Sequence, residues 1–207
     1  MIEDAQAISN ESFMAGTLEI SNNTLDAVKG VLSCKPDYLV MGMSAVTFYD
    51  GAEGGRRWRE SVEEAAGLKL SIGSESIAEA LAAIGGIHKV AVLSPYFPIA
   101  NIEVKRFLSD YGYETVRDEC LRCPSWTAIA EVDEATLGSM LGRIDGDDVD
   151  AIVQVGTNLS MLRLAAAAEV SLGKPVIAVN AATYWHALRA NGIDDKVTGF
   201  GRLLEEL

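Results

Sequence analysis

Apolar positions in this chain group in two ways. Short runs of four or five residues rich in Val, Ile and Leu, bounded by Gly, Asn or Pro, have the form of buried strands, and longer Ala- and Leu-rich stretches have the form of helices. The alternation is plainest over residues 150–180, DAIVQVGTNLSMLRLAAAAEVSLGKPVIAVN. Ala151 to Val155 is a strand, and Gly156-Thr157-Asn158 breaks it. A helix follows from about Leu159 to Leu172; Gly173-Lys174-Pro175 stops it, and Val176 to Val179 is the next strand. Strand, helix, strand predicts a parallel βαβ unit, which binds ligands at the carboxyl ends of its strands. Thr157 and Asn158 stand at that edge, placed either to cap the helix or to face an anion.

An earlier stretch repeats the pattern. Tyr38 to Met41 runs into Gly42-Met43-Ser44, and residues 68–85, LKLSIGSESIAEALAAIG, match 174–192, KPVIAVNAATYWHALRANG. Glu79-Ala80-Leu81 falls on His186-Ala187-Leu188 and Gly85 on Gly192, and Ile87 to Val90 then matches Ile193 to Val197. Two similar halves, each with a strand-end glycine loop, predict a pseudo-twofold α/β molecule with its site in the cleft between them.

The remaining pattern fills in around these halves. Glu3 to about Thr17 reads as one helix, and Ser21 or Asn22 opens a second that runs to about Cys34. No convincing strand precedes them, so either that lobe is built differently or its initial strand is not in this sequence. Gly51-Ala52-Glu53-Gly54-Gly55 lacks the Gly-Lys-Ser/Thr ending of a phosphate loop. Arg56, Arg57 and Arg59, beside Glu60, Glu63 and Glu64 on a helix ending near Gly67, read as a solvated face. Val90 to Ser94 is a strand ending in Pro95-Tyr96, followed by a helix over about 101–111, a strand over about 113–117 and a helix over about 134–144. Tyr96 thus sits at the ligand-binding edge, as an oxyanion donor or as a packing residue whose hydroxyl finds a backbone partner.

Composition narrows the function. The 207 residues carry a formal charge of −13, which argues against nucleic acid and anionic membrane surfaces as partners. No apolar run reaches the roughly 20 residues of a membrane span, and no signal peptide opens the chain, so the expected location is cytoplasmic. Cys34, Cys120 and Cys123 cannot form a disulfide framework, and the lone Cys120-x-x-Cys123 lacks partners for a metal site. Asp145-Gly146-Asp147-Asp148 lacks the spacing of a calcium loop.

Five motifs occur in order: Met41-Gly42-Met43-Ser44 with Phe48-Tyr49; Pro95-Tyr96 with Asn101 and Phe107-Leu108; Gly156-Thr157-Asn158; Ala182 to Leu188; and Gly199-Phe200-Gly201-Arg202-Leu203. Together, from about Cys34 to the C-terminus, they resemble the aspartate/glutamate racemase superfamily, in its arylmalonate decarboxylase and maleate isomerase branch. The resemblance implies an α/β fold of two pseudo-twofold-related lobes, each a mostly four-stranded parallel sheet flanked by helices. Residues 1–93 with about 193–207 would form the first lobe and 94–192 the second. It implies a small carboxylic acid as ligand, no cofactor and no metal, and it leaves room for a homo-oligomer.

Members of the superfamily carry two cysteines, one per strand-end loop, and the matching positions here are Gly42 and Gly156. The decarboxylases share the first glycine and keep the second cysteine as proton donor. What the resemblance retains is the carboxylate-binding set: Gly42, Met43, Ser44, Pro95, Tyr96, Gly156, Thr157 and Asn158. Ser44, Thr157 and Tyr96 are the catalytic candidates, Tyr96 as oxyanion or proton donor, with His186 or water as other proton sources. Met43, Val46, Phe48 and Trp185 are candidates to line the pocket. Two functions follow: a cofactor-independent decarboxylase or related isomerase working through an enediolate-type intermediate, or a non-catalytic carboxylate-binding protein of the same fold.

Overall fold

Two parallel sheets organise the chain, a two-stranded one and a four-stranded one. The structure is a computed structural model and describes residues 9–207. Helix α1 (Asn10–Leu32) leads to β1 (Leu39–Val40), a 3₁₀ turn (Ala45–Phe48), α2 (Gly51–Ala66), β2 (Leu70–Ser71) and α3 (Gly73–Ile84). Then come β3 (Lys89–Ser94), α4 (Pro98–Asp110), β4 (Glu114–Cys120), α5 (Trp126–Ala130) and α6 (Glu134–Ile144). The chain closes with β5 (Ala151–Gln154), α7 (Leu162–Leu172), β6 (Val176–Ala178), α8 (Val179–Ala190) and α9 (Arg202–Glu205). The strands pair in the orders β1-β2 and β4-β3-β5-β6, all parallel.

Burial explains the sequence pattern. β5 and β6 are buried at every residue, as parallel strands covered on both faces must be. β4 is half-buried and polar, which suits its place at the sheet edge. It runs to Cys120, past the expected end near Arg117, because an edge strand tolerates the Asp118-Glu119 pair that a central one would exclude. One apolar core joins both halves, and a smaller cluster of Leu39, Val62, Leu70 and Ile72 lies under the first sheet.

Two expectations are corrected. The two N-terminal helices are one, α1, capped by Ser9, whose hydroxyl accepts from the Ser12 N–H while Ser12 reciprocates. Neither Gly nor Pro interrupts residues 17–29, and the Thr17 and Thr24 hydroxyls bond back to carbonyls four residues earlier. The Ser21-Asn22 cap signal is therefore overridden, and the part of the expected first helix over residues 3–8 lies outside the described residues. The glycines from Gly51 to Gly55 are the opening turns of α2, where a Cβ on Gly55 would lie 2.5 Å from the Thr47 carbonyl oxygen. Ile193 to Val197 forms no strand: Val197 bonds to Leu204, and the Arg189 guanidinium holds the carbonyls of Ile193, Asp195 and Leu207.

The fold is α/β, with parallel sheets flanked by helices and a pseudo-twofold relation between halves. β1-α2-β2-α3 corresponds to β5-α7-β6-α8, and the 12-residue helices α3 and α8 pack on each other. The boundary expected at 93/94 falls inside β3, all of which pairs in the larger sheet. Residues 193–207 pack on α7 and α8: Arg163 lies 5.9 Å over the Phe200 ring, and the Arg202 N–H donates to Glu169. We propose a division in which the second half begins at Lys89 and includes this tail.

Candidate functional site

Three strand ends converge. Gly42-Met43-Ser44 leaves β1, Pro95-Tyr96 leaves β3, and Gly156-Thr157-Asn158 leaves β5. The middle loop is fixed by a backbone ladder in which Leu121, Arg122 and Cys123 donate to the carbonyls of Ser94, Tyr96 and Pro95. Beneath it the Ser94 hydroxyl donates to buried Asn101, which in turn donates to Asp118. A rigid support of this kind holds Tyr96 in one position.

Tyr96 and Ser44 form the centre, with their hydroxyl oxygens 2.7 Å apart and both side chains buried. The Gly156 N–H also donates to Ser44 Oγ, at 3.2 Å. Two hydroxyls share one O–H···O bond, so whichever donates, one O–H remains unspent among the described residues. Burial pushes the Tyr96 phenol far above its ordinary value, and the Ser44 hydrogen bond offsets only part of that. Tyr96 is therefore a neutral hydrogen-bond donor at any physiological pH. Around the pair, the N–H groups of Met43, Ser44 and Thr157 donate to no protein acceptor among the described residues.

The two glycine loops are tied together. Thr157 Oγ1 donates to the Gly42 carbonyl at 2.9 Å, and Asn180 at the start of α8 donates to the Thr157 carbonyl at 2.8 Å. Thr157 thus bridges loops and does not cap a helix, while the Asn158 amide donates to the Trp126 carbonyl. The glycines themselves differ. Gly156 has φ +109°, and a Cβ there would lie 2.5 Å from the Pro95 ring. Gly42 is exposed, and a Cβ on it would meet nothing within 4 Å.

Other expected residues lie elsewhere. Phe48 packs edge-on against Phe107 at 5.3 Å, and Val46 lines a surface pocket with Thr17 and Trp58. Trp185 is buried with its indole N–H unpartnered among the described residues. His186 Nδ1 lies 2.9 Å from the Ser71 hydroxyl and 3.3 Å from that of Ser76, and burial lowers its pKa against the opposing charge of Glu79. Arg56 and Arg57 pair with Glu53 and Asp50, and Arg59 bridges Glu63 and Glu75. The three cysteines are free, and burial raises the thiol pKa values of Cys120 and Cys123.

Sequence reasoning missed Phe13, Trp126 and Asn180. Phe13 of α1 places its ring 5.3 Å from both Tyr96 and Trp126, forming an aromatic wall beside the dyad. Nothing local marks Phe13, whose partners are far away in sequence. Asn180 had a signal, since it lies two residues past the end of β6, at the ligand-binding edge.

Comparison with known proteins places this geometry. Residues 14–204 match a family model described as arylmalonate decarboxylase. Arylmalonate decarboxylase of Bordetella bronchiseptica is 30% identical over 170 residues, 81% of this chain and 70% of that protein. Maleate isomerase of Pseudomonas putida is 28% identical over 117 residues, 56% of this chain and 47% of that protein. Among solved structures, a liganded arylmalonate decarboxylase with one glycine changed to cysteine and one cysteine to serine superposes with TM-score 0.87 at 25% identity, covering 97% of this chain and 84% of that one. The fold is also that of Nocardia farcinica maleate cis-trans isomerase, solved as a cysteine-to-serine mutant with a covalently bound succinylcysteine intermediate (TM-score 0.89, 20% identity, 98% and 83% covered).

Proposed function

The chain belongs to the arylmalonate decarboxylase family, and on that premise we propose that it is a cofactor-independent decarboxylase or related isomerase of a small carboxylic acid. The observation that carries this reading is the buried Ser44–Tyr96 pair with its one unspent O–H. Such a donor, set beside the free N–H groups of Met43, Ser44 and Thr157, suits an oxygen that gains charge during reaction. One carboxylate of a malonate-like acid binds these donors. Loss of the other as carbon dioxide leaves an enediolate whose oxygens the same donors stabilise.

The carbanion then takes a proton without a cysteine, since positions 42 and 156 are glycine. His186 turns its Nδ1 to Ser71 and Ser76, and burial favours its uncharged ring over a proton-giving imidazolium. Deprotonating Tyr96 would create a buried phenolate, which burial opposes. Water entering beside exposed Gly42 is the better donor. Water offers no fixed proton, so the product from a prochiral malonate is racemic.

The test is carbon dioxide release from substituted malonates in D₂O, with deuterium and handedness followed at the α-carbon. Release with racemic α-deuteration supports the proposal, and a single enantiomer would point to a fixed protein donor. The second reading, a carboxylate binder, is favoured by glycine at both Gly42 and Gly156, which leaves no cysteine to deliver a proton. Saturable binding of malonates with neither release nor α-exchange would select it.

A further inference from the structure

Ser44 opens the 3₁₀ turn, at the position where a serine hydroxyl ordinarily caps the backbone. Here it makes no such bond, and its oxygen pairs with Tyr96 and the Gly156 N–H instead. The Ser44 backbone is held by Thr47. The Thr47 N–H, at 3.0 Å, and the Thr47 hydroxyl, at 2.7 Å, both donate to the Ser44 carbonyl. Thr47 is in turn held by the start of α3. The Ser74 N–H donates to Thr47 Oγ1 at 3.3 Å, and the Ser74 hydroxyl donates to the Thr47 carbonyl at 2.7 Å. Ser44, Thr47 and Ser74 are all fully buried, so bulk water cannot take over a lost bond. α2 and α3 press on the same segment. A Cβ on Gly73 would lie 3.2 Å from Ser44 Cβ, and one on Gly55 2.5 Å from the Thr47 carbonyl oxygen.

We propose that Thr47 is a positioning residue, which through the Ser44 carbonyl aims the Ser44 hydroxyl at Tyr96. The hydroxyl of Thr47 gives its one hydrogen to Ser44, and a lone pair takes the Ser74 N–H. It therefore links the start of α3 to the donor pair in a single step. An O–H···O bond tolerates a displacement of only about half an ångström, so a small rotation of the Ser44 peptide disengages the pair. The catalytic consequence rests on the proposed decarboxylase or isomerase reading, whereas the alignment itself does not. Thr47→Val keeps the shape and loses both bonds of the hydroxyl, while Thr47→Ser keeps them.

The test uses the full-length protein isotope-labelled at tyrosine Cζ, whose magnetic resonance signal responds to hydrogen bonding at the phenol. The signal missing from Tyr96→Phe identifies Tyr96. Thr47→Val is expected to move that signal towards its position in Ser44→Ala, and Thr47→Ser to restore it. Ser74→Ala, which loosens Thr47 and keeps its hydroxyl, should move the signal the same way by less. Thr24→Val is the control. It removes a hydroxyl that donates to the Ile20 carbonyl within α1, and it should lower the melting temperature without moving the Tyr96 signal. In carbon dioxide release, Thr47→Val should lower kcat about 10–100-fold with a smaller change in KM, and Thr47→Ser should recover most of the loss. An unmoved Tyr96 signal in Thr47→Val, or in Ser74→Ala where Thr47→Val does not fold, overturns the proposal. So does a shift that Thr24→Val reproduces. Where wild type releases no carbon dioxide, the decarboxylase reading fails by itself, and the Tyr96 signal still decides the positioning role.

Discussion

Tyr96 and Ser44 carry unequal shares of the same hydrogen-bond pair. Tyr96→Phe removes one of the two paired hydroxyls and leaves Ser44 bonded to Gly156. Turnover is expected to fall by about 10²–10³-fold, while stability drops by only about 1 kcal/mol. Steady-state rates beside thermal melts check that split, and equal losses in both would make Tyr96 a packing residue. The glycines give a second contrast. Gly156→Cys forces a side chain onto a left-handed backbone and into Pro95, so it should cost at least about 1–3 kcal/mol. Gly42→Cys has open space and should melt like wild type. Ser44, Tyr96 and both glycines were legible in the sequence because each follows a strand. Their mutual bonds were not, since Ser44 and Tyr96 are 52 residues apart and no local rule pairs them. Thr157 shows the same limit: its position was readable, but its partner, the Gly42 carbonyl, comes from the other half.

At the scale of elements, α8 ties β2 to the second half through His186. Burial lowers the folded-state pKa of that histidine below its ordinary value, so the fold favours the uncharged ring. Its contribution is complete above the unfolded pKa and is lost as pH falls through the folded one. Stability should therefore decline as pH drops below about 6.5, and His186→Gln should flatten that decline in melts across the range. Helix α1 has a separate task, holding Phe13 against Tyr96 and Trp126. Phe13→Ala is expected to cost about 3–5 kcal/mol, measurable by urea unfolding. The strands β5 and β6 and helix α6 were readable from apolar runs and stop signals alone. The continuity of α1 was not, because Ser21 and Asn22 favour a cap and only the packing that buries Phe13 and Thr17 overrides that local preference.

For the whole molecule, the repeat was visible in aligned halves, yet the halves are not equal. The second builds four strands and the first two among the described residues, because Ile193 to Val197 is held by Arg189 and the tail instead of by a sheet. Inequality also marks how the halves meet. Two hydrogen bonds, Thr157 to Gly42 and Gly156 to Ser44, cross between the loops over a pair of hydroxyls withdrawn from solvent. A ligand arriving from solution cannot collide with those hydroxyls; it has to wait for the loops to part. Association then has a speed limit set by the protein and not by encounter. In stopped-flow mixing with phenylmalonate, followed by tryptophan fluorescence, the observed rate should level off as ligand concentration rises. Thr157→Val should lift that plateau. A rate that climbs in proportion to concentration throughout would mean the loops stand open in solution.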